Sequence, residues 1–135
     1  MRRTDNRVSQ LGLTLVELLI VIALVALTTS LVSPAVGRQL EQAQARDELQ
    51  TLRRLVASIG FEAYAKSQEF TVTTDGSALL WSSPVGRGER TFERLFFPRR
   101  VEVTFNANGV ANHQELTVNM GSKVQTIRLN SWVQR

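Results

Sequence analysis

The sequence of 135 residues predicts an α+β fold: a long N-terminal helix, a membrane half and then an amphipathic half, packed on antiparallel β-sheet. Three observations carry that expectation. An apolar run occupies residues 13–36, a pattern with helical period follows to about residue 66, and apolar–polar alternation between turn-forming residues fills what remains. The chain divides accordingly into a short basic stretch at 1–12, an apolar helix at 13–36, an amphipathic continuation at 37–66 and a β-rich domain at 67–135.

The apolar run reads LTLVELLIVIALVALTTSLVSPAV. At about 1.5 Å per residue it spans roughly 36 Å, enough for a hydrocarbon core of about 30 Å. Between Arg7 and Arg38 the one charged residue is Glu17. A carboxylate in such a segment is costly and by default marks function. It stands four residues past Leu13, about 6 Å along the axis, so a Glu snorkelling to the interface near the positive helix end is the plain alternative. Arg2, Arg3 and Arg7 precede the run, and the positive-inside rule keeps them in the cytoplasm, with the bulk of the chain on the other side. A cleavable secretory signal would use residues 18–27 as its apolar core. Ser33-Pro34-Ala35 is a poor small-x-small site for it, and Glu17 would be an intrusion.

Past Val36-Gly37 apolar residues recur at Leu40, Ala43, Leu49, Leu52, Val56, Ile59 and Ala63, with spacings of 3 and 4 from Leu49 onward. That is one helical stripe, and Glu41, Gln42, Arg46, Glu48, Arg53 and Arg54 are read as lying off it. Gly37 and Gly60 permit bends.

Residues 70–74 and 78–82 flank Asp75-Gly76-Ser77 and predict a hairpin. Residues 83–89, with Pro84, Gly86 and Gly88, read as an exposed loop. Residues 92–97 are apolar but ambiguous, and Pro98 ends them. Val101, Val103 and Phe105 alternate with Glu102 and Thr104 as a half-buried strand, and the turn Asn106-Ala107-Asn108-Gly109 follows. Leu116, Val118 and Met120 form the next alternation. Gly121-Ser122 turns the chain into a last strand with Ile127 and Leu129 inward, and Trp132 and Val133 sit in a tail.

A basic leader, Gly12, an apolar Leu13, Thr14 and Glu17 at the fifth place together resemble the prepilin class-III signal of type IV pilins and type II secretion pseudopilins. The resemblance implies cleavage between Gly12 and Leu13 by a prepilin peptidase of the membrane, N-methylation of Leu13, and a docking role for Glu17 in subunit assembly. It also implies a helix kink at Pro34, the twenty-second residue after the cut. The family usually carries Phe after the cut, where this chain has Leu13. A pilin-like lollipop is the implied shape, anchored in inner-membrane lipid with its C-terminal domain in the periplasm.

The later part resembles the GspH/FimT branch of minor pseudopilins, on residues 70–76, 101–109 and the last hairpin around Gly121. A branch member often ends in a Thr-Gly-Arg-Val-like tail, where this chain has Ser131-Trp132-Val133-Gln134-Arg135. The function implied is that of a minor pseudopilin in the type II secretion pseudopilus, with other major and minor pseudopilins as partners. The alternative is a minor type IV pilus subunit that binds DNA for uptake.

The residues suggest no enzyme, no metal and no cofactor. His113 is the single histidine, in a turn-like context, and there is no cysteine, so neither a cysteine nucleophile nor a disulfide staple is available. Asp75-Gly76 reads as turn chemistry rather than calcium binding. The net charge of +4 at a pI near 10.6 overstates the basicity of the processed chain, because the leader's three arginines and one aspartate contribute +2 of it. Arg87, Arg90, Arg94, Arg99 and Arg100 are the candidate DNA contacts of the alternative, set against a solvated face in which Glu89, Glu93 and Glu102 intervene.

Overall fold

The computed structural model describes residues 7–130 and, within them, the side chains of residues 14–30 and 34–130. One helix, α1 (Arg7–Lys66), precedes β1 (Phe70–Asp75), β2 (Ala78–Ser83), β3 (Gly86–Thr91), β4 (Leu95–Phe96), β5 (Glu102–Phe105), β6 (Glu115–Met120) and β7 (Lys123–Arg128). The α+β class is the expected one, and α1 begins at Arg7, ahead of the apolar run. The chain separates into two compact units, Met1–Glu41 and Gln42–Arg135.

In the first unit the described side chains of α1 are exposed, with Leu15, Leu18, Leu19, Ile22 and Leu24 each more than half accessible. One helix, over Thr14–Lys66, is long and apolar enough to cross a membrane.

The second unit is built on the stripe. Leu49, Leu52, Val56, Ile59 and Ala63 of α1 join one core with Phe70, Val72, Leu79, Val103 and Phe105 from one sheet and Leu95, Leu116, Val118 and Ile127 from the other. The stripe starts at Ala45, which is buried, while Leu40 and Ala43 are exposed. The helix turns about 100° per residue. Counting back from Leu52, Ala45 falls within the stripe, whereas Ala43 lies opposite it and Leu40 about 120° away. The helix ends in a left-handed Ser67 (φ 50°), where the N–H of Gln68 reaches the Ala63 carbonyl at 3.0 Å and that of Ser67 the Tyr64 carbonyl at 3.1 Å. This pair of bonds is the Schellman pattern, which satisfies carbonyls the helix leaves open.

Strand order is β3-β2-β1-β5 in the first sheet and β4-β6-β7 in the second, all neighbours antiparallel. Asp75 pairs with Ala78, so the first hairpin turns on two residues, Gly76 and Ser77. Gly76 takes φ 58° at the first of them, the position where a tight hairpin favours glycine. Gly121 (φ 62°) does the same between β6 and β7.

The expected loop at 83–89 is not a loop. Pro84 and Val85 make the turn, and Gly86 through Thr91 pair with β2. This edge strand is exposed on both faces, so it carries none of the alternation that marks a half-buried strand. It is held partly through Trp81, whose indole covers Gly88; a Cβ at Gly88 would collide with that ring. The ambiguous segment at 92–97 contributes two strand residues, yet Phe92, Leu95 and Phe97 are buried. The N–H groups of Phe92 and Phe97 donate to the carbonyls of Ser77 and Gly76 at 2.8 and 2.7 Å, so the segment hangs from the first hairpin turn.

Thr74 is the one fully buried polar residue of the core among the described residues. Its hydroxyl donates to the Arg99 carbonyl at 3.0 Å and accepts from the Val101 N–H at 2.9 Å, fixing the approach to β5. Replacing the hydroxyl by a methyl of similar shape leaves both backbone groups without a partner, at about 1–3 kcal/mol in total. Thr74→Val is expected to lower the denaturation midpoint with an unchanged m-value, and Thr74→Ser to recover most of the loss. Because burial begins at Ala45, a fragment covering residues 42–135 is expected to be soluble and to melt cooperatively by circular dichroism. Non-cooperative melting would show that its core depends on the preceding helix.

Candidate functional site

The cleavage junction expected at Gly12 and Leu13 lies on the backbone of α1, and its side chains lie outside the described ones. Glu17 is exposed on the helix, one turn further on. Pro34 lies inside the helix and is exposed. It has no N–H to give the carbonyl four residues earlier, that of Ser30.

The turn before Pro34 carries three consecutive hydroxyls, and all three bond back to the helix. Thr28 Oγ1 donates towards the carbonyls of Leu24 and Val25 at 3.0 and 2.9 Å, Thr29 Oγ1 towards Val25 and Ala26 at 2.9 and 3.0 Å, and Ser30 Oγ to Leu27 at 2.9 Å. Such back-bonding removes most of the cost of a hydroxyl in an apolar surrounding and favours a bend. The hydropathy pattern gave no sign of it, although a Thr-Thr-Ser run inside an apolar helix is a usable signal.

The five candidate arginines are not gathered on one face. Arg87 and Arg90 are three apart on β3 and therefore project to opposite faces of the sheet. Arg90 pairs with Leu79, Leu79 with Thr74, and Thr74 donates its N–H to the Val101 carbonyl. That row crosses three strand spacings, about 14 Å, so the backbones of Arg90 and of Arg99-Arg100 stand on opposite edges. Arg94 is half-buried after β3. Glu89 and Glu102 are exposed on the two edge strands, β3 and β5.

Glu48, read from sequence as a residue off the stripe, has a definite task. Its carboxylate accepts the N–H groups of Glu93 and Arg94 at 3.1 and 2.9 Å, tying α1 to the segment before β4. Its place about 40° from Leu52 on the helix, at the stripe's border, was the available signal.

His113 Nδ1 lies 2.8 Å from Asn112 Oδ1, beside a groove of about 610 Å³ that Arg99, Val101, Glu115, Thr117 and Val124 line. Asn112 Oδ1 also accepts the Thr104 N–H at 2.9 Å, so the histidine belongs to a turn network. Among the described residues no three His, Cys, Asp or Glu side chains are grouped to hold a metal ion.

One long apolar N-terminal helix followed by antiparallel sheets is, in the general arrangement of its elements, pilin-like. No protein-family model matches the chain, nor does a curated protein or a solved structure.

The dispersal of the arginines has a measurable consequence. In a mobility-shift titration the fragment 42–135 is expected to show negligible affinity for duplex DNA at physiological salt. Micromolar binding with a salt slope of several units, lost in Arg99→Ala with Arg100→Ala, would restore a phosphate-binding face.

Proposed function

We propose that this chain is a minor pseudopilin, a structural subunit of the type II secretion pseudopilus and not an enzyme. The observation that carries the reading is the succession along one helix. Gly12-Leu13-Thr14 and Glu17 open an apolar stretch that is exposed wherever its side chains are described, and the same α1 continues into a stripe that closes the core of a β-rich unit. An apolar surface of that extent has to be covered by lipid or by other subunits. In this reading it serves both states: stored as a single pass through the inner membrane, then packed against its neighbours in a periplasmic fibre.

Prepilin peptidase cuts after Gly12 and the new amine of Leu13 is methylated. Glu17 then faces the amine of an adjacent subunit. In an apolar surrounding such a pair is weakly screened and acts as a register device, because a carboxylate left without its cation there costs about 3–5 kcal/mol. Thr28, Thr29 and Ser30 bond to their own helix and add no comparable demand. The DNA-uptake alternative gains no support from arginines that lie on two faces and two edges of the sheet.

Intact mass and N-terminal sequencing of membrane-extracted protein are expected to give a chain starting at Leu13 with one added methyl. A start near Val36, or an uncut chain, would refute the reading. Glu17→Ala is expected to leave cleavage intact while co-purification with the other fibre subunits drops. Unchanged co-purification would reduce Glu17 to a tolerated interfacial residue.

A further inference from the structure

The two sheets leave several edges, and they differ in how they are closed. Along β5, Phe105 bridges to Ala111, and Thr104 exchanges bonds with Asn112 through its N–H and carbonyl. β4 is two residues long. β3 has an open edge but carries two glycines and a mixed Arg-Glu-Arg charge. β7 is six residues long, contains no proline and, among the described residues, pairs on one side only, with β6.

The turn between β6 and β7 fixes which groups of β7 are free. In a two-residue hairpin the closing pair, here Met120 and Lys123, is hydrogen-bonded, and hydrogen-bonded pairs recur at every second residue. Gln125 and Ile127 therefore bond to β6, and the pattern continues in the Leu129 N–H, which donates to the Gln114 carbonyl at 2.9 Å. Val124, Thr126 and Arg128 turn both their N–H and their carbonyl outward, away from β6.

Alongside lies a groove of about 340 Å³ between this strand and α1, lined by Arg53 and Ala57 from the helix and by Thr126, Ile127, Arg128 and Leu129. Among the described residues no acidic side chain lines it. Among the described residues neither Arg53 nor Arg128 makes an ion pair or a side-chain hydrogen bond.

We propose that the open edge of β7 accepts, as an added strand, an extended segment of another protein that carries carboxylates. Three outward residues give the segment a backbone ladder. Ala57 gives an apolar floor beside Arg53, on the face of the buried Ile127. Arg128, one residue on, projects to the opposite face, so each arginine selects negative side chains on its own face of the segment. Backbone pairing with alternate side-chain selection is how strand addition divides affinity from specificity. The free ladder groups favour a polypeptide over a nucleic acid, which would use the arginines and leave the edge idle. The inference rests on the β-rich unit alone and stands whether or not the chain is a pseudopilin.

The test uses the full chain in non-ionic detergent and fluorescence anisotropy of a labelled, end-capped peptide of three Val-Glu repeats. Its controls are the Val-Lys counterpart and the Val-Glu peptide N-methylated at every residue. The Val-Glu peptide is expected to bind and both controls to fail. Arg53→Glu with Arg128→Glu is expected to weaken binding by about tenfold or more, as loss of charge-assisted contacts should. Arg128→Gln gives a smaller loss in the same direction and serves if the double variant does not keep the parent's melting temperature. Failure of the Val-Glu peptide to bind overturns the proposal. So does equal binding of the N-methylated peptide, which would reduce the site to a pair of cations. Tight binding of duplex DNA that both arginine variants abolish, with no peptide binding, would assign the groove to nucleic acid instead.

Discussion

Both sheets depend on a single helical stripe. Leu52, Val56, Ile59 and Ala63 are almost wholly buried, and the residues they meet come from two sheets that no strand ladder joins among the described residues. Without a cysteine no covalent link can substitute for that contact. The stripe therefore does for this unit what a second sheet does in a sandwich: it gives each inner face something apolar to lie against. Truncation at Leu52 would cost both sheets at once, about 2–5 kcal/mol for a leucine at so enclosed a site.

Polar groups placed at the joints complete what the stripe begins. Glu48 reaches from the helix to two N–H groups ahead of β4, Thr74 holds the strand-like approach to β5, and the Gly76-Ser77 turn receives both ends of the 92–97 segment. Asn130 Oδ1 accepts the Ala111 N–H at 2.8 Å and closes the far side. Each of these satisfies backbone groups that the short ladders leave over. That explains how strands of two and four residues persist in the core.

How much of this the sequence disclosed follows from the kind of signal each element carries. The stripe from Leu49 onward was plain because one face of a long helix is buried and the other is not. Leu40 and Ala43 were misplaced because apolar residues were counted without their angular phase. Strands β1, β5, β6 and β7 were marked by alternation or by their hairpin turns. β3 has both faces in water and two glycines, so pairing with β2 and cover from Trp81 are tertiary facts with no local trace. Glu48 and Thr74 were equally hidden, since their partners lie 45 and 27 residues further along the chain. At the candidate site Gly12, Glu17 and Pro34 were picked out by their resemblance to the prepilin signal, and their roles remain proposals. The separation of the arginines was not legible, because it depends on strand register.

The two stretches of α1 answer to different surroundings. From Ala45 on, the buried apolar side chains share one face, and the protein covers that face itself, while Phe61 and Tyr64 stand exposed outside it. Before Pro34 apolar side chains stand all round the helix, and among the described side chains none is covered by the protein. A helix that is apolar on every side is stable only where something apolar encloses it. In such an enclosure a backbone-bonded hydroxyl is nearly indifferent, whereas a carboxylate is not. Thr28, Thr29 and Ser30 can therefore enter lipid or a bundle of like helices equally well. Glu17 alone discriminates, because a surrounding that brings a cation to it is favoured over one that does not. In the assembly proposed above, Glu17 therefore favours the axial register that brings a neighbour's amine to it, and adds one polar constraint to the register that side-chain interdigitation sets.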